Sequence, residues 1–158
     1  ELLINSGADV NTTCTLGNTP LFRAAERGND RKVELLIGAG ENVNIANKQG
    51  ETPLFMAAKK EAIPFELLFK ALAAIDKADN KGITALMTAV TYGKVACVEA
   101  FIDAGADVNK QTCKGETALI KASINGHSEI LDLLIKKGAD TNLASSARNL
   151  TCMELLFS

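Results

Sequence analysis

Aromatic residues are scarce in this chain: 158 residues include six Phe, one Tyr and no Trp. An interior must therefore be built mainly from Leu, Ile, Val and Ala. There is one histidine, His127, which excludes an HExxH metal site and leaves a catalytic triad no alternative base. Neither GxxxxGK[ST] nor GxGxxG occurs, and Gly93-Lys94 has no partner glycine at the required distance. No catalytic, cofactor-binding or metal-ligating residue is therefore nominated, and no small-molecule substrate. With 17 basic and 19 acidic residues the net charge is −2, which argues against a nucleic-acid role resting on overall charge. No apolar run reaches the roughly 18 residues a membrane span needs, so no membrane insertion is expected. Cys14, Cys97, Cys113 and Cys152 form no CxxC pair and read as reduced thiols of a cytoplasmic protein. Residues 1–30 lack the basic start and apolar core of a secretory signal. The sequons at Asn11 and Asn149 are accordingly discounted.

What the chain does have is self-similarity. The triplets Thr19-Pro20-Leu21, Thr52-Pro53-Leu54, Thr84-Ala85-Leu86 and Thr117-Ala118-Leu119 begin 33, 32 and 33 residues apart, and a weaker copy, Thr151-Cys152-Met153, follows after 34. A second marker keeps the same beat. It runs Gly7-Ala8-Asp9-Val10-Asn11, Gly40-Glu41-Asn42-Val43-Asn44, Gly105-Ala106-Asp107-Val108-Asn109 and Gly138-Ala139-Asp140-Thr141-Asn142. Two markers in phase identify a repeat array.

One unit can be read physically. Thr19 is a good helix N-cap, because its hydroxyl can accept from an unpaired first-turn amide. Pro20 suits the first helical position, where no donor is needed and φ is already set. Leu21, Ala24 and Ala25 form a packed face, and Gly28 ends this short helix in a left-handed conformation. A second helix over Asp30–Gly38 carries Val33, Leu35, Leu36 and Ile37, more apolar than a one-faced surface helix. Gly40 then lets the chain leave with positive φ. A single unit cannot bury both apolar faces, so stability must come from stacked neighbours.

The period and the T-P-L-F-x-A-A motifs at Thr19–Ala25 and Thr52–Ala58 resemble the ankyrin repeat family, with Phe22 and Phe55 where that family usually has His. The resemblance implies an all-α solenoid of stacked helix-turn-helix units with projecting turns. In this register a single array contains full repeats at 14–46, 47–78, 79–111 and 112–144. Partial repeats lie at 1–13 and 146–158. Leu2, Leu3, Leu155, Leu156 and Phe157 would be covered by further repeats missing at both ends, or by another chain. His127, in the family's Gly-His position, would start a second helix. The family's asparaginyl hydroxylation at Asp-Val-Asn makes Asn11, Asn44 and Asn109 candidates. Their structural job would be to bridge backbone at the exit turn.

The second repeat is irregular: Lys59-Lys60-Glu61 lacks the inter-helix glycine, Pro64 stands near the second helix, and Leu72-Ala73-Ala74-Ile75-Asp76 replaces the exit motif. Its second helix, Phe65–Ala74, is expected to run about a turn longer. Either this is drift with packing kept by Phe65, Leu67, Leu68 and Phe69, or it changes the curvature and shapes a partner site.

The resemblance implies protein binding on a concave surface of projecting turns and first helices. Positions expected there include Arg23, Arg27, Lys48, Lys59, Lys60, Lys81, Lys114 and Lys121, eight cations against Glu26, Glu51 and Glu116. Apolar residues Leu16, Met56, Ile83, Tyr92 and Ile124 interrupt the stripe, and Asn18 is counted as exposed. The expected partner is a protein with an acidic segment and apolar anchors, centred on Met56, Lys59, Lys60, Ile83 and Tyr92. The plainer alternative is a solvated lysine-rich surface. Nucleic acid is disfavoured, since only Tyr92 offers base stacking. The favoured function is a non-catalytic interaction module, a scaffold or recruitment surface. The alternative is the ankyrin region of a larger enzyme or secreted bacterial effector whose catalytic domain lies outside this chain.

Overall fold

Three threonines start first helices in the same way. The hydroxyl oxygens of Thr19, Thr84 and Thr117 accept from the amides of Phe22, Met87 and Ile120 at 3.1, 3.2 and 3.2 Å. Each satisfies a first-turn donor that the helix itself cannot pair. The computed structural model describes residues 9–60, 65–71, 73–145 and 150–151. Among them the helices are α1 Pro20–Glu26, α2 Asp30–Gly38, α3 Pro53–Lys60, α4 Phe65–Lys70, α5 Ala85–Thr91, α6 Val95–Asp103, α7 Ala118–Ile124 and α8 Ser128–Lys136. The expectations for Glu61, Pro64, Leu72, Asn149, Cys152 and the apolar residues at the two ends lie outside the described residues.

The chain divides into two compact units, Glu1–Ala74 and Ile75–Ser158. In unit 1, α1 packs on α2 and on α3, and α3 packs on α4. In unit 2, α5 packs on α6 and α7 on α8, while α5 meets α7 and α6 meets α8. First helix on first helix is the stacking direction. Alanines make it possible: Ala24, Ala25, Ala57, Ala58, Ala89 and Ala122 are all buried, and with no side chain beyond Cβ they let helices approach closely. Leu21, Leu54, Leu86 and Leu119 sit beside them with at most 1% exposure.

Each second helix ends on the same bond. The amides of Glu41, Ala73, Ala106 and Ala139 donate to the carbonyls of Leu36, Leu68, Phe101 and Leu134, five residues back. This Schellman-type closure captures a last-turn carbonyl that would otherwise lack a partner. It also corrects one expectation. The second helix of the irregular repeat stops at Lys70 instead of running to Ala74, because the Ala73 amide closes it in the common register. Leu68 is fully buried there, as expected. After α8, Ala144–Ser145 pairs antiparallel with Leu150–Thr151, a short pair the repeat pattern did not foretell.

Candidate protein-binding surface

Residues 14–18, 47–51, 79–83 and 112–116 form the projecting turns. In each, the amide of the first residue donates to the carbonyl of the fifth: Cys14 to Asn18, Asn47 to Glu51, Asp79 to Ile83, and Thr112 to Glu116. The fourth residue, a glycine, donates back to the first. First-position side chains tighten the loop from within. Asn47 Oδ1 accepts from Gln49 and Glu51, Asp79 Oδ1 from Lys81 and Ile83, and Thr112 Oγ1 from Lys114 and Glu116. Neighbouring turns within a unit are also joined, Lys48 N to Leu16 O at 3.1 Å and Cys113 N to Lys81 O at 2.9 Å. This close approach needs glycine. A Cβ on Gly82 would stand 2.8 Å from Cys113 N, and one on Gly17 would stand 3.0 Å from Lys48 N, both at positive φ.

Cys14 occupies the acceptor position. Hydrogen bonds from the Leu16 and Asn18 backbone hold its exposed thiol below the ordinary value, with the Arg23 guanidinium helping against some desolvation. The mechanism is charge-stabilising donation to the thiolate.

The expected cations Arg23, Arg27, Lys48, Lys59, Lys60, Lys81 and Lys114 are all exposed. Lys121 is only partly so, because its ammonium lies 2.9 Å from Glu116. Arg23 pairs with Glu26 at 2.7 Å, and Asn47 Nδ2 donates to Glu51 at 2.9 Å. All three anions of the stripe are thus already engaged. Tyr92 and Ile124 are 48% and 43% exposed at the ends of α5 and α7, and Ile83 is half-buried. Two expectations fail. Met56 is only 8% exposed and Asn18 only 6%, so neither offers a side chain to a partner. Met56 shares its register position with Arg23 and Lys121. A flexible apolar chain folds into the core where long charged chains reach for water.

Asn11, Asn44 and Asn109 do bridge backbone, and they do so between successive exit turns. Their Oδ1 atoms accept from the amides of Asn42, Ala74 and Asp140 at 2.8, 2.7 and 2.8 Å. Asp76 fills the same role toward Asp107 at 3.1 Å. His127 starts α8 without a side-chain cap; instead its Nε2 lies 3.3 Å from the Thr91 carbonyl, with the ring over Gly93.

One residue escaped the sequence reading. Glu41 stands where the exit motifs of unit 2 have the buried alanines Ala106 and Ala139, and it is 4% exposed. Its Oε1 accepts from the Leu21 amide at 2.9 Å, while Oε2, like the buried Oδ1 of Asn18, has no partner. Burial pushes its carboxyl above the usual range, against the opposing hydrogen bonds of Thr19 and Leu21. The signal was present as a carboxylate in a small apolar slot of the repeat.

Among the described residues no group of three or more His, Cys, Asp or Glu is placed to hold a metal ion, and no helix is long and apolar enough to cross a membrane. What remains defines a class: tandem helix-turn-helix units, stacked within each unit, that present turns and helix ends as their accessible chemistry. The family model for ankyrin repeats (3 copies) matches residues 1–68 and 61–145, and the chain belongs to the ankyrin repeat family. No curated protein matches it. Ankyrin repeats are in general protein–protein interaction modules, which use the extended surface that stacking creates.

Proposed function

We propose that this chain is a non-catalytic interaction module, a scaffold or recruitment surface working in the reducing cytoplasm. Its partner docks on the concave face expected of the family, through an acidic segment with apolar anchors. The observation that carries this reading is the charge distribution. Exposed cations stand on the turns and first helices of both units, whereas Glu26, Glu51 and Glu116 are engaged by their own neighbours. With Arg23 and Lys121 already paired to Glu26 and Glu116, a partner carboxylate approaching either unit meets positive charge at exposed cations such as Arg27, Lys60 and Lys81. Such charge raises the association rate and selects against basic partners, while apolar burial supplies most of the affinity. The anchors available are Ile83, Tyr92 and Ile124, with Leu16 in unit 1; Met56 is withdrawn from the set.

The test is charge reversal. Wild-type chain and the Lys59→Glu/Lys60→Glu and Lys81→Glu variants are used as bait, and captured proteins are identified by mass spectrometry. Loss of the acidic proteins from the captured set is expected, with the fold intact by circular dichroism. An unchanged set would sink the reading.

A further inference from the structure

We infer that the cleft between the two projecting turns of unit 2 is an anchor pocket for one apolar side chain, taken from a partner segment that carries acidic residues on both sides of it. This rests on the interaction reading above and assigns that reading its anchor. The cleft encloses about 250 Å³ and is lined by Ile83, Thr112, Cys113 and Glu116, with Lys81 and Lys114 among its walls. Small-molecule sites usually begin near 300 Å³, so this volume suits a single side chain better than a free ligand.

The Thr112 hydroxyl, the Cys113 amide and the Glu116 carboxylate in the walls are already committed. Thr112 Oγ1 accepts from the amides of Lys114 and Glu116, the Cys113 amide donates to Lys81 O, and the Glu116 carboxylate is held by Lys121 at 2.9 Å. A polar group entering here would exchange water for few new hydrogen bonds, whereas an apolar one gains by leaving water. The cleft is also preformed. Gly82 lets the two turns touch closely enough to be hydrogen-bonded, so little ordering remains to be done when an occupant arrives.

Acidic flanks follow from position. Lys81 and Lys114 are the third residues of successive turns, so exposed ammonium groups bracket the cleft. The same positions in unit 1 hold Leu16 and Gln49. Charge complementarity therefore favours a segment of the form acidic–apolar–acidic at unit 2 alone.

Cys113 reports on occupancy, because it is exposed and lines the cleft, while exposed Cys14 lies in unit 1. The probes are short synthetic peptides with Leu between runs of Glu, Ala between runs of Glu, and Leu between runs of Lys, plus an oligothymidylate. Fluorescence anisotropy gives affinity, and N-ethylmaleimide labelling of the full chain, resolved by mass spectrometry, gives the footprint. The Glu–Leu peptide is expected to slow labelling of Cys113 but not of Cys14. It should bind about tenfold tighter than the Glu–Ala peptide and lose that binding in Lys81→Glu/Lys114→Glu. The milder Lys81→Gln/Lys114→Gln pair should give an intermediate loss. Equal affinity for the Leu and Ala peptides, an unprotected Cys113, or equal protection by the oligothymidylate overturns the proposal. If acidic peptides bind but respond only to Lys59→Glu/Lys60→Glu, the pocket is refuted and the interaction reading stands. If no acidic peptide binds at all, both fail.

Discussion

The turn at residues 14–18 in unit 1 and the turn at 112–116 in unit 2 make the same backbone bonds, yet a thiol stands at position 14 where a hydroxyl stands at 112. The units differ again at the second-helix exit. Unit 1 buries the carboxyl of Glu41 where unit 2 buries the methyls of Ala106 and Ala139. At the turn tips, the positions held by Leu16 and Gln49 in unit 1 are held by Lys81 and Lys114 in unit 2. The backbone of such a repeat asks little of these positions: an acceptor at one, a small volume at another, anything soluble at the third. Local chemistry is thus free to diverge while packing stays constant. Unit 1 has acquired titrating groups, and unit 2 a lysine-bracketed cleft.

If packing is common to both units, equal cuts should cost each the same. Leu21→Ala in unit 1 and Leu86→Ala in unit 2 remove side chains that are 0% and 1% exposed, and each is expected to cost about 3 kcal/mol. Urea unfolding followed by circular dichroism measures both. A loss confined to one unit would break the equivalence.

The glycine turns sharpen the comparison one step down. Gly82→Ala puts a Cβ 2.8 Å from Cys113 N at φ +78, while Gly17→Ala meets Lys48 N at 3.0 Å. A cost of about 2 kcal/mol or more is expected, larger for Gly82, because strain adds to a backbone clash. Gly105→Ala, equally left-handed at φ +88 but with nothing within 4 Å, should cost about 1 kcal/mol. Equal costs at all three would show that conformation alone matters.

The exit-turn ladder is expected to contribute about 1 kcal/mol per rung in either unit, the net worth of an ordinary hydrogen bond. Asn44→Ala and Asp76→Ala, scored by the same unfolding experiment, test whether an amide and a carboxylate serve equally.

Glu41 should make stability depend on pH through unit 1. Burial raises its carboxyl in the folded chain above the ordinary value of 4.5, so the folded state holds the proton more tightly than the unfolded state does. The stability from this group is full below that ordinary value and is lost as pH rises through the raised folded one. Glu41→Gln, which keeps the shape without the charge, should therefore gain on wild type in unfolding temperature as pH rises. A constant gap across pH would show that Glu41 does not titrate there.

The smallest effect concerns Cys14. Its alkylation rate should reach half-maximum at a lower pH than a free thiol, because Leu16 and Asn18 backbone hydrogen bonds favour the thiolate. Arg23→Gln should move that midpoint up only slightly, the guanidinium being the lesser contributor. An unshifted midpoint in wild type would remove the distinction between Cys14 and an ordinary surface cysteine.

Much of the architecture was legible because each signal acts over a few residues. Thr19 before Pro20, Gly28 after Ala25 and Gly40 past Gly38 set caps and reversals by local sterics, and α2 has the bounds read from its pattern, Asp30–Gly38. The surface was less legible. Met56 was placed outside by register, yet the same register position is exposed as Arg23, partly exposed as Lys121 and buried as Met56. Which way a flexible side chain turns depends on what its neighbours leave open, and periodicity carries no information about that. The overlong second helix failed for a related reason. Ala73 and Ala74 look helical by propensity, but a hydrogen bond from the Ala73 amide closes the helix in the shared register.

By itself, then, the sequence determined the repeat, its phase, the helix starts and stops, and the basic character of the turns and first helices, because period, caps and charge are properties of short stretches. Tertiary structure alone decided that Glu41 is buried with an unpaired oxygen, that the Lys121 ammonium holds the Glu116 carboxylate, and that two lysines bracket a cleft. Each of these depends on groups from 5 to 33 residues apart coming together, and only packing brings them there.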